Sequence, residues 1–455
     1  MMKRLFLPAV SALALAACTT VGPDYKSPAP SVPAQSGFLS AASPAFTGDE
    51  PAGRWWSLFN DPVLDRLVEQ ALTANTDLRV AAANLERARA VLRETRGARL
   101  PTAAFSGGET TSENLSATFS GGFDVGYQLD LFGRIRRATE ASRADVEAVQ
   151  AAFDLSRITV AAETARAYAD ACSAGRQLAV AQESVRIQEE TFDLTRRLVA
   201  GGRGTALESG QAGAQLEQTR STLPTLAAQR QTALYRLSVL TGRPPADFPR
   251  EVATCSTSPS LSRPIPVGNG ATLLARRPDV RAAERELAAA TARIGVATAD
   301  LYPDIRIGLS AGSTGNSLSA LSSGITFGLG PLISWTIPTN GVARARIAQA
   351  EASAKAALAR FDGTWLGALE ETESSLTRYA HELDRVSALR RARANSAEAA
   401  RIARLRYRAG REPFQIVLEA ERSLSQTEAQ LAQAEAQLSD YLVSVFLALG
   451  GGWEA

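Results

Sequence analysis

The chain repeats itself about two hundred residues apart, and that repeat limits the architectures open to it. Asp77-Leu78-Arg79 to Leu100-Pro101 is a stretch rich in small residues that runs into a proline. Asp279-Val280-Arg281 to Tyr302-Pro303 is a second, and the paired Asp and paired Pro positions are both 202 apart. Ala81, Leu85 and Ala88 meet Ala283, Leu287 and Ala290 at the same shift. After each proline the apolar period changes from helical to alternating. Gly133-Arg134 and Gly341 open matching long helices at a shift of 208. Ala200-Gly201 pairs with Ala409-Gly410, and Leu240-Thr241-Gly242 with Leu449-Gly450-Gly451, at a shift of 209. The repeated unit reads helix, strand pair, very long helix, turn, helix. The shift grows between the prolines and the next glycines, which predicts a longer loop in the second strand pair.

The strands show as strict alternation. Phe119, Gly121, Phe123, Val125, Tyr127, Leu129 and Leu131 alternate with Ser120, Gly122, Asp124, Gly126, Gln128 and Asp130. Ile325, Phe327, Leu329, Ile333, Trp335 and Ile337 alternate with Gly324, Thr326, Gly328, Gly330, Ser334 and Thr336. Ile305, Ile307 and Leu309 set against Asp304, Arg306 and Ser310 give a third strand, and the region Ala103 to Thr111 a weaker fourth. Alternation over more than ten residues fits a transmembrane barrel strand, whereas a soluble sandwich gives more and shorter strands. A sheet in lipid must close, because each unsatisfied backbone group there costs several kcal/mol. Four strands cannot close around a water-filled lumen. The chain is therefore expected to oligomerise and share one barrel, with the Gly-, Ser- and Thr-rich faces lining a wet interior.

The helical runs point to something elongated. No Pro occurs between Gly133 and Gly201 or between Gly341 and Gly410, and at 1.5 Å per residue each run reaches roughly 100 Å. Seven-residue spacing links Ala171, Leu178, Val185, Phe192 and Val199, and again Val417, Leu424, Leu431, Leu438 and Val445. Ala420, Thr427, Ala434, Tyr441 and Ala448 lie three residues later. This is a coiled-coil seam, and a solvated coiled-coil stalk accounts for it equally well but leaves the strands unexplained. Near the N-terminus, Asp61-Pro62 reads as an N-cap followed by a first-turn proline, with Leu64, Leu67, Val68, Ala71 and Leu72 on one apolar face. Trp55 and Trp56 read as packing residues.

Composition narrows the function. Over 455 residues, Lys plus Arg is 49 and Asp plus Glu 47, so no net basic field holds nucleic acid. One His (His381) and three Cys argue against a metal site or a His-based catalytic centre. No phosphate-cradling loop or nucleophile elbow is present, and no cofactor or enzymatic activity is expected. Lys3 and Arg4 precede an apolar run from Leu5 to Ala17, too short to span a bilayer as a helix and suited to a secretory signal. It ends in Leu15-Ala16-Ala17-Cys18, which resembles the bacterial lipoprotein box. Cleavage there leaves Cys18 as a lipidated N-terminus, and at ~0.8 kcal/mol per buried methylene several acyl chains anchor a protein firmly. An ordinary secretory signal with a chance Cys is the alternative. Thr19 after the Cys, by resemblance to sorted lipoproteins, favours the outer membrane. Cys172 and Cys255 are able to pair in an oxidising periplasm, and the sequence leaves open whether they meet. The segments read as a signal peptide (1–17), a lipidated N-terminal tether (18–60), a first repeat (61–242) and a linker (243–275), then a second repeat (276–455). Within the repeats, strands are expected at about 102–131 and 304–337, and helical hairpins at about 134–240 and 341–448.

Several motifs together resemble one family. Cys18 with Val21-Gly22-Pro23-Asp24-Tyr25, Trp55-Trp56, Asp61-Pro62 and Asn75-Thr76-Asp77-Leu78 are similar to the start of the TolC-like outer-membrane efflux lipoproteins of the NodT type. These are channels that serve resistance-nodulation-division pumps. Arg276-Arg277-Pro278-Asp279-Val280-Arg281-Ala282-Ala283-Glu284, Ile294-Gly295-Val296-Ala297, Leu301-Tyr302-Pro303 and Ala448-Leu449-Gly450-Gly451-Gly452-Trp453 match as well. The resemblance covers nearly the whole mature chain. It implies a mainly α fold with transmembrane β: a homotrimer whose four strands per chain share a twelve-stranded barrel in outer-membrane lipid, continuous with a long α-helical barrel in the periplasm. It also implies a periplasmic adaptor and an inner-membrane pump as partners. The hairpin turns Val199 to Leu207 and Tyr407 to Leu418 would form the periplasmic tip. Tyr407, Arg408 and Glu412 resemble the family's gate, in which an acidic ring repels itself while Tyr407 and Arg408 latch neighbouring helices. Arg411 stands where an apolar residue is common and is placed to neutralise Glu412. Gly201, Gly202, Gly204 and Gly410 read as helix-terminating turns and, by family, as part of the adaptor's docking surface. The expected function is passive export of small molecules from periplasm to exterior. Two other readings stay open: an exit duct for secreted proteins, and a structural coiled-coil lipoprotein of the periplasm.

Overall fold

The computed structural model describes residues 20–28, 37–50, 53–112, 115–261, 263–322, 324–337 and 339–451. Its strands are β1 (Phe46–Thr47), β2 (Thr102–Ser112), β3 (Leu115–Leu129), β4 (Ile265–Pro266), β5 (Asp304–Gly315) and β6 (Thr326–Ser334). Its α-helices are α1 (Pro62–Ala74), α2 (Thr76–Gly97), α3 (Arg134–Ala200), α4 (Ala206–Arg220), α5 (Thr222–Leu240), α6 (Gly270–Arg276), α7 (Pro278–Ala299), α8 (Val342–Arg408) and α9 (Phe414–Ala448).

The duplication is visible residue by residue. The 22-residue α2 and α7 start 202 residues apart, and the 67-residue α3 and α8 start 208 apart. The inserted residues fall where expected: β2 and β3 are separated by two residues, while β5 and β6 are separated by a loop that holds the short helix Leu318–Ser322. One pairing of the two copies changes. Gly133 and Gly341, Gly202 and Gly410, and Gly242 and Gly450 all have positive φ, so the equivalent positions stay 208 apart to the end. The turn partner of Gly410 is Gly202, not Gly201, because the left-handed residue after a helix is the one that needs glycine.

The copies differ in their last arm. In the second copy α9 is one helix of 35 residues, whereas in the first copy α4 and α5 are separated at Ser221. Pro224 explains the break. Its ring lacks an N–H and clashes with the carbonyl four residues earlier, at Arg220, the last residue of α4.

The chain divides into two compact units. One comprises Ala82–Ala152 and Asp279–Trp365 with the described part of Met1–Ala29. It holds an antiparallel sheet in the order β2-β3-β5-β6. The register aligns Phe105 with Phe123, Phe123 with Ala311, and Ala311 with Phe327, while Ala103, Val125, Leu309 and Leu329 form the next row. One face is therefore apolar across all four strands, and it is bare: Phe105 is 81% and Leu329 76% exposed. The opposite face carries Ser106, Gly122, Asp124, Ser310 and Gly328. Among the described residues β2 and β6 have one strand neighbour each, so the sheet does not close on itself. Pro331 lies in β6, the last strand of the sheet within the chain.

The N-terminal segment lies in this unit. The Val21 amide donates to the Phe132 carbonyl at 3.2 Å. The Arg137 guanidinium, almost fully buried, donates to the Val21 and Gly22 carbonyls and to Asp24 at 2.7 Å and Glu140 at 2.9 Å. Burial alone would lower its pKa, but the two carboxylates outweigh that and raise it. Gly22 lies so close to Gly295 that a Cβ would sit 2.4 Å from the Gly295 Cα. The Tyr25 hydroxyl donates to Glu284; burial and that carboxylate push its pKa up to about 12. Two motifs far apart in sequence thus meet in one clamp.

The other unit comprises Pro30–Ala81, Phe153–Pro278 and Leu366–Ala455. Its core gathers Trp55, Trp56, Leu64, Leu67, Leu237, Leu376, Leu442 and Phe446, with Trp55 stacked on Phe446 at 4.8 Å. The two tryptophans are packing residues, as their setting in the sequence suggested. Asp61 caps α1 by accepting from the Val63 and Leu64 amides. Cys172 and Cys255 do meet: they form a disulfide that ties the linker to α3. No helix among the described residues is long and apolar enough to cross a membrane.

Candidate functional site

The hairpin turns are built by two identical helix stops. At the end of α3 the Arg203 amide donates to the Leu198 carbonyl at 2.8 Å and the Gly202 amide to Val199 at 3.0 Å. At the end of α8 the Arg411 amide donates to Arg406 at 2.9 Å and the Gly410 amide to Tyr407 at 2.8 Å. Both are Schellman motifs, with Gly202 (φ 67°) and Gly410 (φ 69°) as the left-handed residues. Gly201 and Gly204 have ordinary φ. Gly204 serves close approach instead, since a Cβ there would come within 3.2 Å of Val199.

The restarts differ. Thr205 opens α4 with a full capping box: its hydroxyl accepts from the Glu208 amide at 3.3 Å and its amide donates to the Glu208 carboxylate at 2.8 Å. Pro413 precedes α9 without any side-chain cap. There the chain is held by packing, with Phe414 buried beside Val417, Leu418, Ala403, Ala212 and Tyr407.

Of the three gate candidates, Tyr407 is 8% exposed and its ring lies 5.6 Å from that of Phe414. Burial raises its pKa, partly offset by a hydrogen bond with Thr195 and reinforced by the charge of Glu208. Arg408 is exposed and has no ion pair among the described residues. Glu412 pairs with Arg406 at 3.5 Å. The neutralising partner expected from sequence was Arg411; the Schellman turn carries Arg411 past the helix end and leaves Arg406, six residues before Glu412, within reach.

Sequence reasoning missed a buried polar stripe behind these turns. Ser184, Gln188, Thr191 and Thr195 of α3 are buried at helical spacing. Opposite them Glu421 of α9, 4% exposed, accepts from the Thr191 hydroxyl at 2.7 Å and lies 3.7 Å from Arg404 of α8. Burial raises its pKa, against the effects of Thr191 and Arg404. Glu428 continues the stripe, paired with Arg393 at 2.9 Å. The signal was present: Val417, Glu421, Leu424 and Glu428 keep the spacing of one helix face, so two acids sit in an apolar row. Cys18 lies outside the described residues.

Comparison with known proteins places this geometry. The model of the outer membrane efflux protein family matches residues 67–243 and 270–451, one match to each copy of the repeat. The chain belongs to that family. It is 33% identical to the outer membrane protein OprJ of Pseudomonas aeruginosa over 97% of this chain and 95% of that one. It is 30% identical to the nodulation protein T of Rhizobium leguminosarum bv. trifolii over 97% and 96%. Among solved structures, the outer-membrane channel OprN superposes with a TM-score of 0.88 at 36% identity, covering 96% of this chain and all of that one. As a member of this efflux family the chain is an outer-membrane channel with a helical periplasmic tunnel, and it acts as an exit duct. Ducts of this family are channels rather than enzymes.

Proposed function

We propose that three copies of this chain form one conduit, a passive exit for small molecules coupled to a periplasmic adaptor and a resistance-nodulation-division pump. The observation that carries this is the four-stranded sheet with one bare apolar face and two edges unpaired among the described residues. In lipid both edges must find partners. Joining the β6 edge of one chain to the β2 edge of the next does this without any new fold, and three copies supply twelve strands. The relatives include a toluene efflux pump outer membrane protein of Pseudomonas putida and a cation efflux system protein of Escherichia coli. Those names support an efflux partner set without fixing the solute. The hairpin turns, with Gly201, Gly202, Gly204 and Gly410, are the adaptor's docking surface, and Tyr407, Arg408 and Glu412 are the gate.

Cys18 carries a covalent lipid in this reading. Thr20 packs on Gly133, where a Cβ would come within 2.6 Å of the Thr20 methyl, between the end of β3 and the start of α3. Cys18 is two residues earlier in the sequence. The stacked rings of Phe132 and Tyr302 and the Trp335 indole, which donates to the Leu301 carbonyl, provide interfacial aromatics there.

The test combines mass and conductance. Detergent-extracted protein should have the mass of a trimer and form channels in planar bilayers. A monomer without conductance would refute the duct. Arg408→Ala and Glu412→Ala should raise open probability; unchanged opening in both refutes the gate assignment. Cys18→Ser should abolish acylation by intact mass.

A further inference from the structure

Resting on the duct reading, we infer that the periplasmic mouth favours anions, because the two hairpin turns of each chain carry unpaired arginines and almost no free acid. From Arg196 to Glu208 and from Arg404 to Phe414 there are seven arginines against two glutamates. Both glutamates are engaged. Glu208 accepts from the Thr205 amide in the capping box, and Glu412 pairs with Arg406. Arg404 is taken by Glu421. Arg196, Arg197, Arg203, Arg408 and Arg411 form no ion pair among the described residues; Arg196 rests over the Phe192 ring at 5.7 Å.

The two turns belong together. Phe192, Leu194 and Leu198 before the first turn pack against the cluster that contains Tyr407 and Phe414 of the second, and the Arg203 guanidinium lies beside Gly410. The five positive charges are thus concentrated at one end of the hairpins. Part of this is ordinary helix chemistry: Arg197, Arg406 and Arg408 lie in the last turns of α3 and α8, where cations favour the helix dipole. Arg203 and Arg411 lie beyond the helix ends and gain little from it. Glu208 keeps its charge in the capping box, so the excess is four per chain, and a threefold mouth multiplies it to twelve. At 0.01 M salt the Debye length is about 30 Å, so these charges set the sign of the field in a narrow entrance whether or not each lines it. The solutes so concentrated are carboxylates, phosphates and other organic anions. Glu412, read alone, suggested the opposite sign.

Planar-bilayer reversal potentials in a KCl gradient test this with the full-length protein. The wild type should pass chloride in preference to potassium. Arg203→Gln/Arg408→Gln/Arg411→Gln should lower the chloride-to-potassium permeability ratio at least ~2-fold, and more at low salt than at high. The single Arg411→Gln, which keeps the backbone amide of the Schellman turn, should shift the potential in the same direction if the triple variant fails to assemble. A wild-type channel that prefers potassium overturns the inference and leaves the duct standing. Anion preference unchanged in these variants overturns its assignment to the turns. A wild-type protein without any conductance refutes the duct itself, and the inference falls with it.

Discussion

Breaking the Cys172–Cys255 disulfide should cost the fold more than any single surface change. The bond spans 83 residues of sequence and encloses the end of α3 with all of α4 and α5. In the chain-entropy account a loop of that length stabilises by about 4.5 kcal/mol at 25 °C, because the crosslink restricts the unfolded ensemble. That is over a thousandfold in the unfolding equilibrium. Little on the native side changes when the bond is lost, since the linker is docked by other contacts as well. Val252 is buried, Ser173 and Ser258 share a hydrogen bond at 2.8 Å, and Arg66 meets Glu251 at 2.6 Å. Gly175, one turn after Cys172, has no side chain because the Cys255 carbonyl passes there; a Cβ would lie 2.1 Å from its oxygen. The assay is urea unfolding of the detergent-extracted protein by circular dichroism, oxidised against reduced, alongside Cys172→Ala/Cys255→Ala. The oxidised wild type should have the highest midpoint, and the reductant effect should vanish in the double variant. Equal midpoints for oxidised and fully reduced wild type, with both thiols confirmed free by titration, would refute the entropic reasoning.

Three other perturbations probe the buried acid, the turn glycines and the N-terminal clamp. Glu421 has a raised pKa, so the fold binds its proton more tightly than the unfolded chain does; its destabilising charge is absent below the unfolded value and fully expressed above the folded one. Glu421→Gln keeps an acceptor for Thr191 and should raise the urea midpoint at neutral pH, with the gain shrinking as pH falls; a lower midpoint at every pH would show that Arg404 needs the charge. Gly202→Ala and Gly410→Ala should each cost about 1–2 kcal/mol through the left-handed backbone, whereas Gly210→Ala, in an open position within α4, should stabilise by about 0.5–1 kcal/mol; thermal melts separate the two classes. Arg137→Ala strands the Val21 and Gly22 carbonyls and should cost about 2–3 kcal/mol, read as faster proteolytic nicking near Asp24, while Asp24, itself exposed, should be far less sensitive to substitution.

The large features were legible because each has a period or a breaker residue behind it. The 202-residue shift between Asp77 and Asp279 carried over into helices of equal length, and the absence of Pro from 134–200 and 342–408 into helices of 67 residues each. Alternation from Phe119 located β3, though it continues to Leu131 while the strand ends at Leu129; the pattern records which side chains point together, and pairing ends where the partner β5 starts at Asp304. Other features depend on contacts between distant segments. No spacing joins Cys172 to Cys255, or Tyr25 to Glu284. Proximity in sequence pairs Glu412 with Arg411, whereas the turn geometry brings it to Arg406. The break at Ser221 was within reach, since Pro224 announces it.

The two copies therefore share their helix stops and differ in how the next helix restarts, and this bears on where the mouth yields. The first turn restarts through reciprocal hydrogen bonds between Thr205 and Glu208, within four residues, independent of any other helix. The second restarts through burial: Phe414 has no cap to rely on and depends on Tyr407, Val417, Leu418 and Ala212 of three helices. A docking surface that competes for Phe414 or draws α8 away from α9 removes that support, whereas the first turn keeps its cap wherever it goes. The Thr191–Glu421–Arg404 contact lies two turns behind Phe414 and joins α8 and α9 to α3. It is a polar contact in a place where an apolar one would hold more tightly. The second turn and its buried carboxylate together form the weaker of the two hairpin ends, so motion of the mouth should begin in the second copy and leave the disulfide-tied first copy in place.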